Sequence, residues 1–254
     1  MLGAERLNFI REYVIKNRYG SINELAELLE TSPATVRRCL KQLEEEKLVE
    51  SVRGGVVLSS DTRVVEKPYM EKRLKNAEEK RRIANEAVKY VQPDDSIFLD
   101  SSTTVYEMCV GLKDISGLNI STNDTYIASQ LGNYDNKNIL VTGGKLRNNY
   151  FTLTGFIASE VIRRISVDTF FTAVDAVSAD GEFMITNTEE VDIKRCLMEK
   201  SRKTVVLCDH SKFSCSSFLT LWDHTQIDLV ITGKELDEEL FERYSDMGMP
   251  LIRV

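Results

Sequence analysis

Four consecutive hydroxyls stand behind an acid in Asp100-Ser101-Ser102-Thr103-Thr104, directly after the apolar run Ser96-Ile97-Phe98-Leu99. A helical pattern follows, with Val105, Met108, Cys109 and Leu112 on one stripe. Hydroxyls at a helix start, where backbone N–H groups lack partners, suit an anion such as phosphate. One hydroxyl would be enough for a plain helix cap; four behind an aspartate read as a ligand loop. Other apolar runs end in comparable chemistry. Thr122-Asn123 comes after 118–120, and Gly143-Gly144-Lys145-Leu146-Arg147 after Val141. Asp175 ends 170–174, and Lys212 comes shortly after Leu207. Carboxylates suit sugar hydroxyls, while cations and N–H groups suit phosphate, so the set predicts a phosphorylated sugar or polyol.

A second constellation lies in the first sixty residues. Ser32-Pro33 reads as a helix cap with proline in the first turn, opening a helix that runs to about Lys47. On a helical wheel Val36, Leu40 and Leu43 share one face. Ala34, Arg38, Lys41 and Gln42 fall opposite, with Thr35 and Arg37 on the flanks. A small, polar and basic face left free by an apolar one is the anatomy of a recognition helix in a DNA groove. After it, 48–52 and 56–58 flank Arg53-Gly54-Gly55, a hairpin whose Arg53 is placed for a phosphate or the minor groove. Residues 1–58 carry nine basic and nine acidic side chains, so placement rather than net charge carries this reading. The alternative is a three-helix protein-interaction domain.

These residues need elements to hold them. Leu7, Ile10, Val14 and Ile15 form one helical stripe, and Leu25, Leu28 and Leu29 another, opened by a capping box of Ser21 and Glu24. Residues 59–75 show no clear period and read as a linker. A surface helix follows from Asn76 to Val91, with Ile83, Ala84, Ala87, Val88 and Val91 on its stripe. Beyond it, runs apolar on both faces (96–99, 138–141, 169–174, 204–207 and 228–231) alternate with helical stretches. Doubly buried strands between helices predict a mostly parallel, Rossmann-like sheet, whose ligands sit outside the carboxyl ends of the strands.

Composition limits the classes. Hydrophobic residues at 42% and charged residues at 29% fit a globular chain and exclude a disordered or collagen-like one. The net charge of −7 excludes a wholly basic nucleic-acid coat. No apolar run approaches the ~18 residues of a membrane helix. Glu5-Arg6 so near the start argues against a secretory signal. Five cysteines without a Cys-x-x-Cys pair read as reduced thiols, so a cytoplasmic protein without membrane association is expected. Cys208, His210, Cys215 and His224 match no zinc spacing, and no phosphate-loop or dinucleotide glycine pattern is present; neither metal nor cofactor is expected.

The order Glu5-Arg6, Leu25-Ala26, Ser32-x-x-Thr35-Val36-Arg37-Arg38, Leu43-Glu44, Arg53-Gly54-Gly55 resembles the winged helix-turn-helix of the DeoR family of bacterial transcriptional regulators. Where the family has aspartate after its double arginine, this chain has Cys39, on the rim of the apolar face. The second half resembles the family's sugar-phosphate sensor domain, similar in fold to ribose-5-phosphate isomerase. The matching stretches are Glu79-Lys80-x-x-Ile83-Ala84, Phe98-Leu99-Asp100-Ser101-x-Thr103-Thr104 and Thr122-Asn123. Gly143-Gly144-x-Leu146-Arg147, Glu190-x-x-x-Lys194-Arg195 and Asp209-x-Ser211-Lys212-Phe213 complete them. The resemblance makes Lys194 a ligand contact, against a surface lysine as the alternative. It brings in Glu190, which a helix start would use as a dipole partner and an isomerase as a proton shuttle. Two positions depart from the pattern. Ser102 replaces a glycine, which predicts a narrower phosphate approach, and Ala176 replaces another at a turn.

The resulting expectation is an α/β chain: a winged helix-turn-helix domain at 1–58, a linker at 59–75 and an effector-sensing domain at 76–254. Ser32, Thr35, Arg37, Arg38, Lys41 and Arg53 would meet a double-stranded DNA operator. Asp100 to Thr104, Thr122, Asn123, Gly143, Gly144, Lys145, Arg147, Asp175, Glu190, Lys194 and Lys212 would hold a sugar phosphate. The chain would be a non-enzymatic repressor of a carbohydrate operon, working as a homodimer or higher homo-oligomer. The alternatives are an isomerase-like enzyme and a constitutive DNA-binding protein with a vestigial pocket.

Overall fold

The computed structural model describes residues 3–17, 19–45, 49–52, 54–58, 68–135 and 137–254. Arg53 and most of the expected linker, 59–67, lie outside them. The chain forms two compact units, Met1–Arg63 and Val64–Val254.

The first unit runs α1 (Gly3–Asn17), β1 (Tyr19–Ser21), α2 (Ile22–Leu28), α3 (Pro33–Glu45), β2 (Val49–Val52) and β3 (Gly55–Leu58). Ile10 and Val14, Leu25, then Val36, Leu40 and Leu43 bring the three helices onto one core. Burying these side chains stabilises by roughly 1.5–3 kcal/mol each. The Ser32 hydroxyl caps α3 by accepting from the Thr35 amide at 3.2 Å. The capping box expected at Ser21 does not form: Ser21 makes no side-chain cap bond. It belongs to β1, the Ile22 amide is taken by the Gly54 carbonyl, and Glu24 instead accepts from the Tyr13 hydroxyl at 2.6 Å. The strands pair antiparallel in the order β1-β3-β2. A Cβ on Gly55 would lie 2.3 Å from the Gly20 carbonyl oxygen, so only glycine allows this approach of β3 to β1.

The second unit opens with α4 (Tyr69–Leu74), α5 (Ala77–Val88), β4 (Ser96–Leu99), α6 (Thr103–Tyr106), α7 (Met108–Leu112), β5 (Asn119–Thr122), α8 (Thr125–Leu131) and β6 (Asn138–Val141). It continues through β7 (Lys145–Leu146), β8 (Leu153–Thr154), α9 (Phe156–Ile162), β9 (Val167–Thr172), β10 (Ala176–Val177), β11 (Glu182–Ile185) and α10 (Val191–Lys200). It closes with β12 (Ser201–Leu207), β13 (Leu219–Asp223), β14 (Leu229–Thr232), α11 (Glu238–Asp246) and β15 (Leu251–Arg253). Seven strands make one parallel sheet in the order β15-β14-β12-β9-β4-β5-β6. Alternate side chains feed two cores: Phe98, Phe170 and Val206 pack with α9, α10 and α11, and Leu99, Phe171 and Val205 with α5 to α8. The fold is therefore α/β: the second unit has a sheet covered on both faces, and the first is a winged helix-turn-helix.

Two expectations are corrected here. The linker read at 59–75 ends in α4, whose Tyr69 is buried and packs edge-on against Tyr126 and Phe151 at ring distances of 5.8 and 5.2 Å. Contacts from residues far along the chain hold it, so no local period announces it. The run 138–141 is not doubly buried: as the outermost strand it has one neighbour, and Leu140 is 42% exposed. The small antiparallel sheet β10-β11-β13, the two-stranded β7-β8 and strand β15 have no sequence signal.

Candidate functional site

The chain leaves β4 toward β5 and β6, then returns on β4's other side as β9. That reversal is the switch point where a crevice opens at the carboxyl ends of a doubly wound sheet. Asp100 ends β4, and its amide donates to the Phe171 carbonyl of β9 at 3.0 Å. Lys194, early in α10, reaches the same point. Its ammonium is paired with Asp100 and donates to Thr172 Oγ1 at 3.2 Å and to the Ala173 carbonyl at 3.1 Å. Thr172 donates to the same Asp100 oxygen at 2.5 Å. Both charged side chains are almost wholly buried, which excludes the surface-lysine alternative. Burial works against the Lys194 cation, but Asp100, Glu190 and Asp175 outweigh it and raise its pKa. Asp100 Oδ1 is buried and meets no donor among the described residues, nor does Asn123 Nδ2 meet an acceptor.

The hydroxyl loop is less free than its sequence implies. Ser102 caps α6, accepting from the amides of Thr104 at 3.1 Å and Val105 at 3.4 Å. Its backbone is ordinary extended chain, so no glycine is required there. Ser101 donates to Asp124 at 2.7 Å and shares a 2.6 Å contact with Thr152. Its amide donates to Asn123 Oδ1 at 3.1 Å. Thr122 is spent on the Leu99 carbonyl at 2.7 Å, and Thr103 and Thr104 are buried. Asp124 caps α8; burial pushes its pKa up to about 6, against the lowering effect of Ser101 and the α8 amides.

Cations gather on the other side of the switch point. Lys80 of α5 is buried, and its ammonium donates to the Lys72 carbonyl. Burial lowers its pKa to about 8; Asp209 opposes this, while Lys212, Lys72 and Lys75 add to it. Burial would raise Asp175, but Lys72, Lys212 and Thr186 outweigh it and lower its pKa. Asp209 is likewise lowered, burial being overcome by Lys212, Ser211, Lys80 and Asn76. Lys72, Lys80 and Lys212 thus act electrostatically on the carboxylates Asp175 and Asp209, and Lys75 on Lys80. Sequence reasoning missed Lys72, Lys75 and Thr172, and took Lys80 only as part of a motif. Ala176 lies in β10 without left-handed backbone, so its replacement of glycine causes no strain.

Glu79, Asp209 and His210 bring three donor atoms within 4.8 Å of one another, a spacing a metal ion could use. They already satisfy one another or their neighbours. Glu79 accepts from the His210 amide and faces His210 Nδ1, both at 2.7 Å, and Asp209 accepts from Asn76 and Ser211. The Glu79 bond raises the His210 pKa in spite of burial. With Lys80 and Lys212 close by, the group is a bracket tying α5 to the 209–213 loop rather than a cation site.

The glycine loop meets Glu189 and Glu190, just ahead of α10. Gly144 has a positive φ, and a Cβ there would meet the Thr154 carbonyl at 2.5 Å. Lys145 is exposed and pairs with Glu189 at 3.2 Å. Arg147 pairs with Glu190 and lies over the Tyr150 ring at 4.2 Å. Gly143 shares the loop.

In the first unit Arg37, Arg38 and Lys41 are exposed on α3 while Val36, Leu40 and Leu43 are buried, as the wheel requires. Cys39 is half-buried against that core. Ser32 and Thr35 are bound to each other at 3.0 Å at the start of the helix.

Residues 6–62 match the family described as the DeoR-like helix-turn-helix domain, and 75–234 the DeoR C terminal sensor domain. The HTH-type transcriptional regulator GolR of Listeria innocua is 31% identical over 252 residues, 99% of this chain and 98% of that protein. The regulator GlpR of Haloferax volcanii is 33% identical over 99% and 98%. The glycerol-3-phosphate regulon repressor of Escherichia coli is 30% identical over 91% of each. Ribose 5-phosphate isomerase A of Methanocaldococcus jannaschii aligns over 55% of each chain, with TM-score 0.40 and 16% identity. Among the described residues, no helix is long and apolar enough to cross a membrane.

Proposed function

Since the chain belongs to the DeoR family of transcriptional regulators, we propose that it is a cytoplasmic repressor of a carbohydrate operon, released from or retained on its operator by a phosphorylated sugar or polyol. The observation that carries the effector class is buried Lys80 of α5, held on the Lys72 carbonyl beside the 209–213 loop that Glu79 and Lys75 bond: cations for a phosphate beside the carboxylate of Asp209 for hydroxyls. A relative named for a glycerol-3-phosphate regulon supports the same class. Asp100, Asn123, Lys194 and Thr172 would take the sugar end, where two buried polar atoms lack partners. Turnover is not part of this reading. The relatives matched over nearly their whole length are named as transcriptional regulators, which supports this reading. Two half-sites require paired chains, so the working form is a homodimer or higher homo-oligomer.

The operator arm is tested with full-length protein and a duplex selected from randomised DNA. Arg38→Ala should weaken binding by roughly 10- to 100-fold, and the slope of log affinity against log salt should fall by about 1 for each phosphate no longer neutralised. The same is expected of Arg37→Ala. Unchanged affinity and slope in both variants would remove α3 from the DNA face. The effector arm is tested by melting the sensor unit against a panel of sugar and polyol phosphates, since a native-state ligand raises the midpoint by mass action.

A further inference from the structure

The helix α4 is the first described element after the winged helix, and it is built into the anion side of the site. Its six residues are too few to hold a helix in water unaided, so its order depends on what it touches. On one side Tyr69 and Arg73 seat it on aromatic rings. The Arg73 guanidinium lies 4.9 Å from the Tyr106 ring centre and 5.2 Å from that of Tyr126, and donates to the Tyr126 hydroxyl at 2.7 Å. Tyr106 belongs to α6 and Tyr126 to α8, the two helices capped by Ser102 and Asp124. Movement in either hydroxyl loop is therefore felt by α4. On the other side the Lys72 carbonyl accepts from Lys80, and Lys75 donates to Ser211 at 3.2 Å.

We propose that α4 is a ligand-operated latch: Lys72 and Lys75 complete the anion subsite of Lys80 and Lys212, so a bound phosphate clamps the segment that leads to the winged helix. The inference rests on the sugar-phosphate reading above and adds how that ligand reaches the DNA-binding unit. Without an anion, the lysines of α4, α5 and the 209–213 loop outnumber the carboxylates Glu79, Asp175 and Asp209 near them, and their mutual repulsion opposes docking of α4. A phosphate dianion offsets that positive excess, and Lys72 and Lys75 gain from it only when α4 is docked. The ligand therefore prefers the docked state, and a conformational equilibrium shifts only through such a preference. Docking of α4 thereby fixes the point, at Tyr69, from which the described sensor begins.

Hydrogen exchange on the full chain tests this, with inorganic phosphate and glycerol 3-phosphate as probes and sodium chloride of equal ionic strength as reference. Exchange in 69–75 should slow with either probe, together with 100–104. In a K72Q/K75Q variant, which alters no buried side chain, calorimetric affinity for the probes should fall roughly tenfold. Slowing should persist in 100–104 but vanish in 69–75. Wild-type affinity and wild-type slowing in that variant would overturn the latch while leaving the sensing reading intact. So would probes that protect 100–104 of the wild-type chain but not 69–75. If neither probe protects 100–104 nor raises the sensor's melting point, the sugar-phosphate reading falls and the latch with it.

Discussion

Lys194→Met is expected to lower the stability of the sensor unit by about 3–5 kcal/mol, and Asp100→Asn by a comparable amount. Each change leaves one half of a buried ion pair without its partner, and the uncompensated charge costs more than the pair itself contributes. The Asp100→Asn/Lys194→Met double variant should recover much of the loss, because no lone charge then remains buried. Such non-additivity is the signature of direct coupling. Trp222 makes the measurement clean. It is the chain's single tryptophan, it lies buried in the core shared by α9 to α11, and its fluorescence in urea follows the sensor rather than the winged helix. Single variants that lose less than about 1 kcal/mol, the worth of a surface pair, would show that water reaches the pair. Operator binding should survive in Asp100→Asn while the response to effector is lost.

The second large effect is a pH dependence of ligand affinity set by Lys80. Burial, with Lys212, Lys72 and Lys75 nearby, brings its pKa to about 8, so the free protein sheds this proton above that pH. A bound phosphate favours the cation and keeps the proton on. Binding then takes up a proton above pH 8, and affinity should fall by about tenfold per unit beyond it while staying nearly flat between pH 7 and 8, above the second ionisation of a phosphate monoester near ~6. Lys80→Gln should bind weakly at pH 7 and lose the alkaline decline. The same group acts oppositely on folding. Its folded pKa is depressed, so from about 8 upward the unfolded chain holds the extra proton and this contribution to stability rises with pH. Titration calorimetry from pH 7 to 9.5 decides the matter; a flat profile in the wild-type chain would place Lys80 outside the anion subsite.

Much of this is readable in the residues. Recognition-helix faces follow from the spacing of Val36, Leu40 and Leu43, because a helix buries one stripe regardless of what it packs on. The parallel sheet follows from doubly apolar runs. What escapes depends on distant partners. α4 carries only Tyr69 as a buried anchor, and the rings it meets, Tyr126 and Phe151, come from elsewhere. Ser21 and Glu24 match a capping pattern, yet the strand pairing of Ser21 and the Gly54 carbonyl supersede it. Ser102 and its neighbours look like a free cradle because a sequence does not show which hydroxyls are already bonded. Two lysines do carry a usable sign. Lys80 shares the stripe of Ala84, Ala87 and Val91, and Lys194 lies between Val191 and Leu197. A lysine at a core position of an amphipathic helix is seldom buried without a partner, and both partners prove to be at the site.

Among the described residues, the buried core of the winged helix runs from Ile10 to Val56, and the sensor builds two cores of its own. Inheritance should reflect that division. Where the ligand acts by release, an allele altered at Asp100 or Lys80 leaves the reading face intact and should give a repressor that occupies its operator whether or not the ligand is present. Such an allele is dominant over the normal copy. An allele altered at Arg38 should yield a chain whose sensor is intact but which cannot grip DNA. Selection for cells that cannot be induced and selection for cells that cannot be shut off would thus recover changes from opposite ends of the same gene.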